Sequence, residues 1–152
     1  MRACCFTGHR DIPASAREQL KERIMHEIHN LITQGVTVFR NGGALGFDLL
    51  AAECVIEAKE AFPDIKLVID VPHRNQARCW RAEDKAQYQL VLSLADEVNV
   101  LSENYYRGCM HVRNRHMVDH SDAVIAYVRK CEGGSYYTRS YAENQGKIVV
   151  NV

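Results

Sequence analysis

The sequence predicts an α/β protein, a three-layer domain in which a mainly parallel sheet is flanked by helices on both faces. Three observations carry the prediction. Short apolar runs that do not alternate with polar residues recur along the chain, as expected of strands buried on both faces. Longer stretches with helical period separate them. Glycine- or arginine-bearing polar segments then stand at the ends of several of these runs, where open parallel sheets gather their ligands.

Taken in order, Ala3 to Phe6 reads as the first strand. Ser15, with Glu18 three residues on, has the spacing of a capping box. Ala16, Leu20, Ile24, Ile28 and Leu31 then line one helical face, which stops at Gly35. Val36 to Phe39 is the second strand, and the second helix runs from Phe47 to about Ala61. Pro63-Asp64 turns the chain into a third strand, Lys66 to Val71, closed by Pro72. A helix from about Arg81 to Leu94 is expected to bury Ala86, Leu90 and Leu94. Val98 to Leu101 is the fourth strand, Met110 to His120 the fourth helix and Asp122 to Val128 the fifth strand. Ser135 is placed to cap a last helix ending near Asn144, and Lys147 to Val152 is the sixth strand. Without a linker, repeat or low-complexity tract, residues 1–152 read as one domain.

Composition narrows the function. With 47% apolar and 25% charged residues the chain is an ordinary globular one. No apolar run approaches the roughly 20 residues a membrane span requires, so no membrane partner is expected. The start, Met1-Arg2-Ala3-Cys4-Cys5-Phe6, reads as a buried strand and lacks the longer apolar core of a signal peptide. Nineteen basic residues balance nineteen acidic ones, which argues against a protein built to coat nucleic acid while leaving room for a local basic pocket. Six cysteines with no CxxC pair read as reduced thiols of a cytoplasmic protein.

The most informative segment runs from Val36 through Arg40-Asn41-Gly42-Gly43-Ala44-Leu45-Gly46-Phe47-Asp48. A strand feeds a glycine-rich turn that opens into a helix, the arrangement of an anion cradle. Three companions reinforce it: Thr7-Gly8-His9-Arg10 after the first strand, Arg113-Asn114-Arg115 ahead of the fifth, and Gly133-Gly134-Ser135 after it. Arg10 and Arg113 are suited to phosphates, and Thr7, His9 and Asn114 to hydrogen bonds. Gly8, Gly42, Gly43, Gly46, Gly133 and Gly134 would let backbone approach a ligand, with Ser135 and Thr138 adding hydroxyls. Arg74, in the His73-Arg74-Asn75-Gln76 segment after the third strand, offers further polar reach. Asp48 is open to three roles: taking ribose hydroxyls, capping the second helix or holding Arg10. Tyr136, Tyr137 and Tyr141 have the chemistry to stack a base or simply to clad the fold. His116 and His120, four apart, lack a third ligand at helical spacing, so neither metal nor cofactor is expected. Glu53 or Asp48 would be the carboxylate for acid–base work on a glycosidic bond.

The set Thr-Gly-His-Arg, Gly-Gly-Ala-Leu-Gly-Phe-Asp, Arg-Asn-Arg-His-Met-Val-Asp, Ser-Asp-Ala-Val-Ile-Ala-Tyr and Gly-Gly-Ser resembles the SLOG superfamily, which unites the DprA/Smf proteins with the LOG enzymes. The likeness covers nearly the whole chain and is closest to the YpsA-like, DUF1273 branch. The resemblance implies a Rossmann-like fold and a nucleotide or nucleotide-derived ligand in the glycine-lined cleft. The LOG signature, Pro-Gly-Gly-x-Gly-Thr followed by a glutamate, is replaced here by Glu132-Gly133-Gly134-Ser135-Tyr136-Tyr137. The leading expectation is therefore a binding protein for an ADP-ribose-like or cyclic nucleotide, a sensor or a sequestering protein, forming a homo-oligomer. Two alternatives stand beside it: a LOG-like nucleoside-phosphate N-glycosidase, and DprA-like binding of single-stranded DNA.

Overall fold

The computed structural model describes all residues 1–152. Six strands, β1 (Ala3–Gly8), β2 (Val38–Asn41), β3 (Lys66–Val71), β4 (Glu97–Val100), β5 (Ala123–Tyr127) and β6 (Ile148–Asn151), alternate with five helices. These are α1 (Arg17–Thr33), α2 (Phe47–Ala58), α3 (Ala82–Leu94), α4 (Cys109–Asp119) and α5 (Gly134–Asn144). Every strand pair is parallel, in the order β4-β3-β2-β1-β5-β6. The chain thus winds outward from β1 to β4, then returns to the other side of β1 for β5 and β6. That reversal leaves a crevice outside the carboxyl ends of β1 and β5, the usual ligand position in such sheets.

The two helical layers differ in weight. On one side α1, α2 and α3 cover a core of 27 buried residues built around Phe6, Phe39, Phe47 and the inner faces of α1 and α2. On the other, α4 and α5 close over a smaller cluster of seven that includes Cys5, Met117, Val124 and Ala142. All six cysteines are free thiols, with Cys79 and Cys131 exposed. Burial pushes the Cys5 and Cys54 thiols up to about 12, so both stay protonated and act as small apolar fillers. No helix is long and apolar enough to cross a membrane.

Four expectations need correction. Ser15 caps nothing: it lies in a 3-10 turn, Ala14–Ala16, closed by the Ala16 N–H on the Pro13 carbonyl, and α1 starts after it. The second strand begins two residues late because Gly35, at φ +99°, and Val36 still finish the helix, the Val36 N–H returning to the Leu31 carbonyl. The inner face of α3 is Tyr88 and Val91, whereas Leu90 and Leu94 are exposed at 58% and 47%. Tyr88 sets that phase, because its ring packs edge-on against Trp80 at 5.2 Å and its hydroxyl lies 3.5 Å from Gln76 Nε2. Ser135 is not the cap of α5, since Gly133 holds that position and the Ser135 hydroxyl has another partner.

Candidate functional site

The crevice is a cleft of about 290 Å³ lined from four segments: Thr7 to Arg10, Ala44 with Asp48, Met110 with Arg113 and Asn114, and Gly133 to Ser135. How each segment is held decides what it offers. The His9 backbone clasps two neighbours, its N–H donating to the Tyr127 carbonyl and its carbonyl accepting from Phe47 N–H. Its ring does likewise. Nε2 accepts the Arg129 backbone N–H at 2.7 Å, which assigns the ring proton to Nδ1, 3.0 Å from the Ser135 hydroxyl. Burial, then Lys130 and Arg129, lower its pKa, so His9 is a neutral bracket between the β1 and β5 loops.

The glycine-rich loop after β2, the strongest signal in the sequence, is occupied by the protein itself. Buried Asn41 braces it, Oδ1 accepting the Gly43 N–H at 2.7 Å and Nδ2 donating to the Asp48 carbonyl at 2.7 Å. The Ala44 N–H goes to Asp48 Oδ2 at 3.2 Å, and the Phe47 N–H is already spent on His9. A Cβ on Gly42 would sit 2.7 Å from the Arg113 guanidinium and 2.8 Å from Asp48 Oδ2. Gly46 sits at φ +79° with the Arg10 carbonyl against it, and Gly43 packs on Tyr88 and Ile69. These glycines make room for side chains and backbone of the same chain.

The loop after β5 is the reverse. A Cβ at Gly133 or Gly134 would meet nothing within 4 Å. The first N–H groups of α5 have no intrahelical partner, and none from Gly134 or Ser135 appears among the loop and cap hydrogen bonds. Open backbone donors at the positive end of α5 therefore border the cleft, whereas the glycine loop ahead of α2 is filled by the chain's own side chains and backbone.

Arg113 faces that opening from α4. It is 4% exposed, and three of its bonds anchor it: Nη1 to the Gly42 carbonyl at 2.7 Å and, at 3.4 Å each, to the Asp70 carbonyl and Gln76 Oε1. Nε donates to Asn114 Oδ1 at 2.8 Å. Nη2 makes no hydrogen bond within the protein and is not sealed from solvent. Burial lowers the Arg113 pKa, and Asp48 and Asp70 oppose that. Arg10, exposed at the mouth, makes no ion pair. Between the two arginines lies Asp48, whose carboxyl burial pushes up to about 6, against the pull of Arg113, the Ala44 N–H and Arg10. A preorganised, desolvated guanidinium beside free backbone N–H groups has the chemistry to hold a phosphate.

Other expected residues lie elsewhere. Glu53 points between α1 and α3, accepting Gln87 Nε2 at 2.6 Å and Arg17 Nη2 at 3.3 Å, away from the cleft. Asp48 is thus the one carboxylate lining it. Arg74 is spent on exposed Glu103 through two bonds of 2.7 and 2.8 Å. Thr138 is buried and donates to the Gly134 carbonyl at 2.8 Å, bracing the first turn of α5. The His116 and His120 rings lie 4.2 Å apart, tilted by 34°, on the last turns of α4.

The residues given no role from sequence are Arg40, Asn41 and Asp70, while Gln76, in the polar segment after β3, braces Arg113 through Oε1 at 3.4 Å. Asp70 is fully buried in β3, held by Arg40 Nη1 at 3.0 Å and Asn99 Nδ2 at 3.1 Å, and its strand carries the carbonyl that anchors Arg113. The signal was present: a charged or amide side chain interrupts an otherwise apolar strand at each of these β2 and β3 positions.

The family model described as the YspA SLOG family matches residues 6–148. The SPbeta prophage-derived protein YoqJ of Bacillus subtilis is 33% identical over 138 residues, spanning 82% of this chain and 81% of that one. A UPF0398 protein of Bacillus thuringiensis is 28% identical over 134 residues, spanning 86% and 73%. Among solved structures, DNA processing protein A from Helicobacter pylori, described in its single-stranded DNA binding mode, superimposes with a TM-score of 0.68 at 19% identity. The same protein from Streptococcus pneumoniae gives 0.71 at 18%. These two matches take in 99% of this chain but only 64% and 50% of the DprA chains, and at that identity they speak for the fold. The chain belongs to the SLOG family, in its YpsA-like branch.

Proposed function

We propose that the protein binds a nucleotide-derived small molecule of the ADP-ribose or cyclic nucleotide type, as a sensor or sequestering protein. The carrying observation is Arg113, nine-tenths buried and fixed by four bonds, yet with Nη2 unpartnered beside the open Gly133-Gly134 backbone. A phosphate seated there would take Arg113, the first N–H groups of α5 and Arg10. Asp48 would accept a ribose hydroxyl, and Thr7 and Asn114 would add hydrogen bonds. Turnover is disfavoured because a glycosidic mechanism with a pair of carboxylates finds only Asp48 in the cleft.

The test is a thermal-shift screen of ADP-ribose, cyclic AMP and the four nucleoside monophosphates, since a ligand that binds only the folded state raises its melting temperature. Arg10→Ala, a change at an exposed position, is expected to cut the shift. A panel with no hit, or an unchanged shift in the variant, contradicts the proposal. Chromatography after prolonged incubation separates binding from cleavage by the release of free base.

A second reading, single-stranded DNA binding, is favoured by the single-stranded DNA binding mode described for the structurally similar H. pylori protein and by Arg129 and Lys130 beside His9. Affinity for an oligonucleotide that falls steeply with salt would support it over a small-ligand cleft.

A further inference from the structure

We infer that the groove between α4 and α5 is the base subsite of this cleft, so that the ligand is a nucleotide whose base lies over Tyr137 while its phosphate sits at Gly133-Gly134. The inference rests on the phosphate reading above and adds to it where the rest of the ligand goes. The groove, of about 280 Å³, opens directly beside the cleft. Asn114 lines both, and its Oδ1 is the acceptor that steadies Arg113 Nε at 2.8 Å. The groove and the cleft therefore adjoin at Asn114, next to the guanidinium that would hold the phosphate.

The lining suits a base more than it suits a plain phosphate or sugar. Tyr137, Thr138, Tyr141 and Asn144 come from successive turns of α5, and His111, Asn114 and Arg115 face them from α4. Seven residues of helix at 1.5 Å each extend the groove about 10 Å from Tyr137 to Asn144, the length of a nucleoside. Tyr141 is fixed: its hydroxyl donates to Asp119 Oδ1 at 2.7 Å and Arg115 lies over its ring at 5.9 Å. Tyr137 is different. It is 58% exposed, its hydroxyl makes no hydrogen bond, and its aromatic neighbour is the edge-on Tyr136 ring at 5.7 Å. An aromatic ring left half in water beside two amides and a guanidinium offers a π-face for stacking and both donors and acceptors for the polar edge of a base. The α4–α5 groove carries no buried carboxylate that would repel such a ligand.

The experiment is calorimetric titration of ribose 5-phosphate and of each nucleoside 5′-monophosphate into the whole protein and into Tyr137→Ala and Asn144→Ala. Both changes are at exposed positions, so folded variants are expected, and circular dichroism checks this. At least one nucleotide should bind about tenfold more tightly than ribose 5-phosphate. That advantage should shrink in both variants while the ribose 5-phosphate affinity stays unchanged. Nucleotides that bind no better than ribose 5-phosphate, or variants that keep the full advantage, overturn the base subsite and leave the phosphate site standing. A protein that binds none of these compounds refutes the phosphate site and the base subsite with it.

Discussion

Replacing Asp48 by asparagine should stabilise the protein at neutral pH and weaken its ligand binding. The carboxyl is 6% exposed, and burial raises its pKa from 3.8 to about 6 despite Arg113, Arg10 and a backbone N–H. A carboxyl whose folded pKa is raised binds its proton more tightly when folded. It therefore contributes stability below about pH 3.8 that is lost as the pH climbs through about 6. At about 1.4 kcal/mol for each factor of ten, the ionised form costs about 3 kcal/mol at pH 8. Asparagine keeps an acceptor for the Ala44 N–H and never ionises. Urea unfolding of both proteins from pH 4 to pH 8 should show equal stability at the acid end and a gap in favour of the variant, up to about 3 kcal/mol, opening between pH 4 and 7. A pH-independent gap, or a variant that is less stable at pH 8, would refute the reasoning. The retained cost fits a group kept for binding, so nucleotide affinity should fall in the same variant whose stability rises.

Three further outcomes separate the parts of the site. Gly42→Ala places a methyl against the Arg113 guanidinium and Asp48, so denaturation should show a loss of about 1–3 kcal/mol. Calorimetry on the folded fraction should show binding lost with it. Glu53→Gln sits outside the cleft and should leave ligand affinity unchanged in the same titration, which also removes the acid–base assignment for that residue. Arg74→Ala breaks only an exposed pair with Glu103, and both melting temperature and affinity should stay close to the original.

Much of the architecture was legible because it follows from periodicity. Buried parallel strands are continuous apolar runs, and β3 was placed to the residue at Lys66–Val71. The phase of α3 was not legible, because Ala86, Leu90 and Leu94 form a regular apolar line that the structure leaves in solvent. What fixes the helix is one bulky ring, Tyr88, buried against Trp80 just ahead of the helix and 3.5 Å from Gln76, contacts that apolar periodicity does not report. The site was legible as a set of segments but not in its division of labour. A glycine reads the same whether its missing Cβ admits a ligand or the chain's own side chain, and only the fold distinguishes Gly42, filled by Arg113, from Gly134, which stands open. The capping reading of Ser135 failed for a similar reason, since His9, 126 residues away, takes its hydroxyl.

Gly134→Ala tests the central claim most directly. The position has room for a methyl and an ordinary φ, and alanine at a helix start is well tolerated, so the melting temperature should hold. Titration of the tightest compound from the nucleotide panel should nevertheless be weakened about tenfold or more, because the added Cβ stands where a phosphate meets the first turn of α5. Equal affinity in the variant and the original would contradict the account.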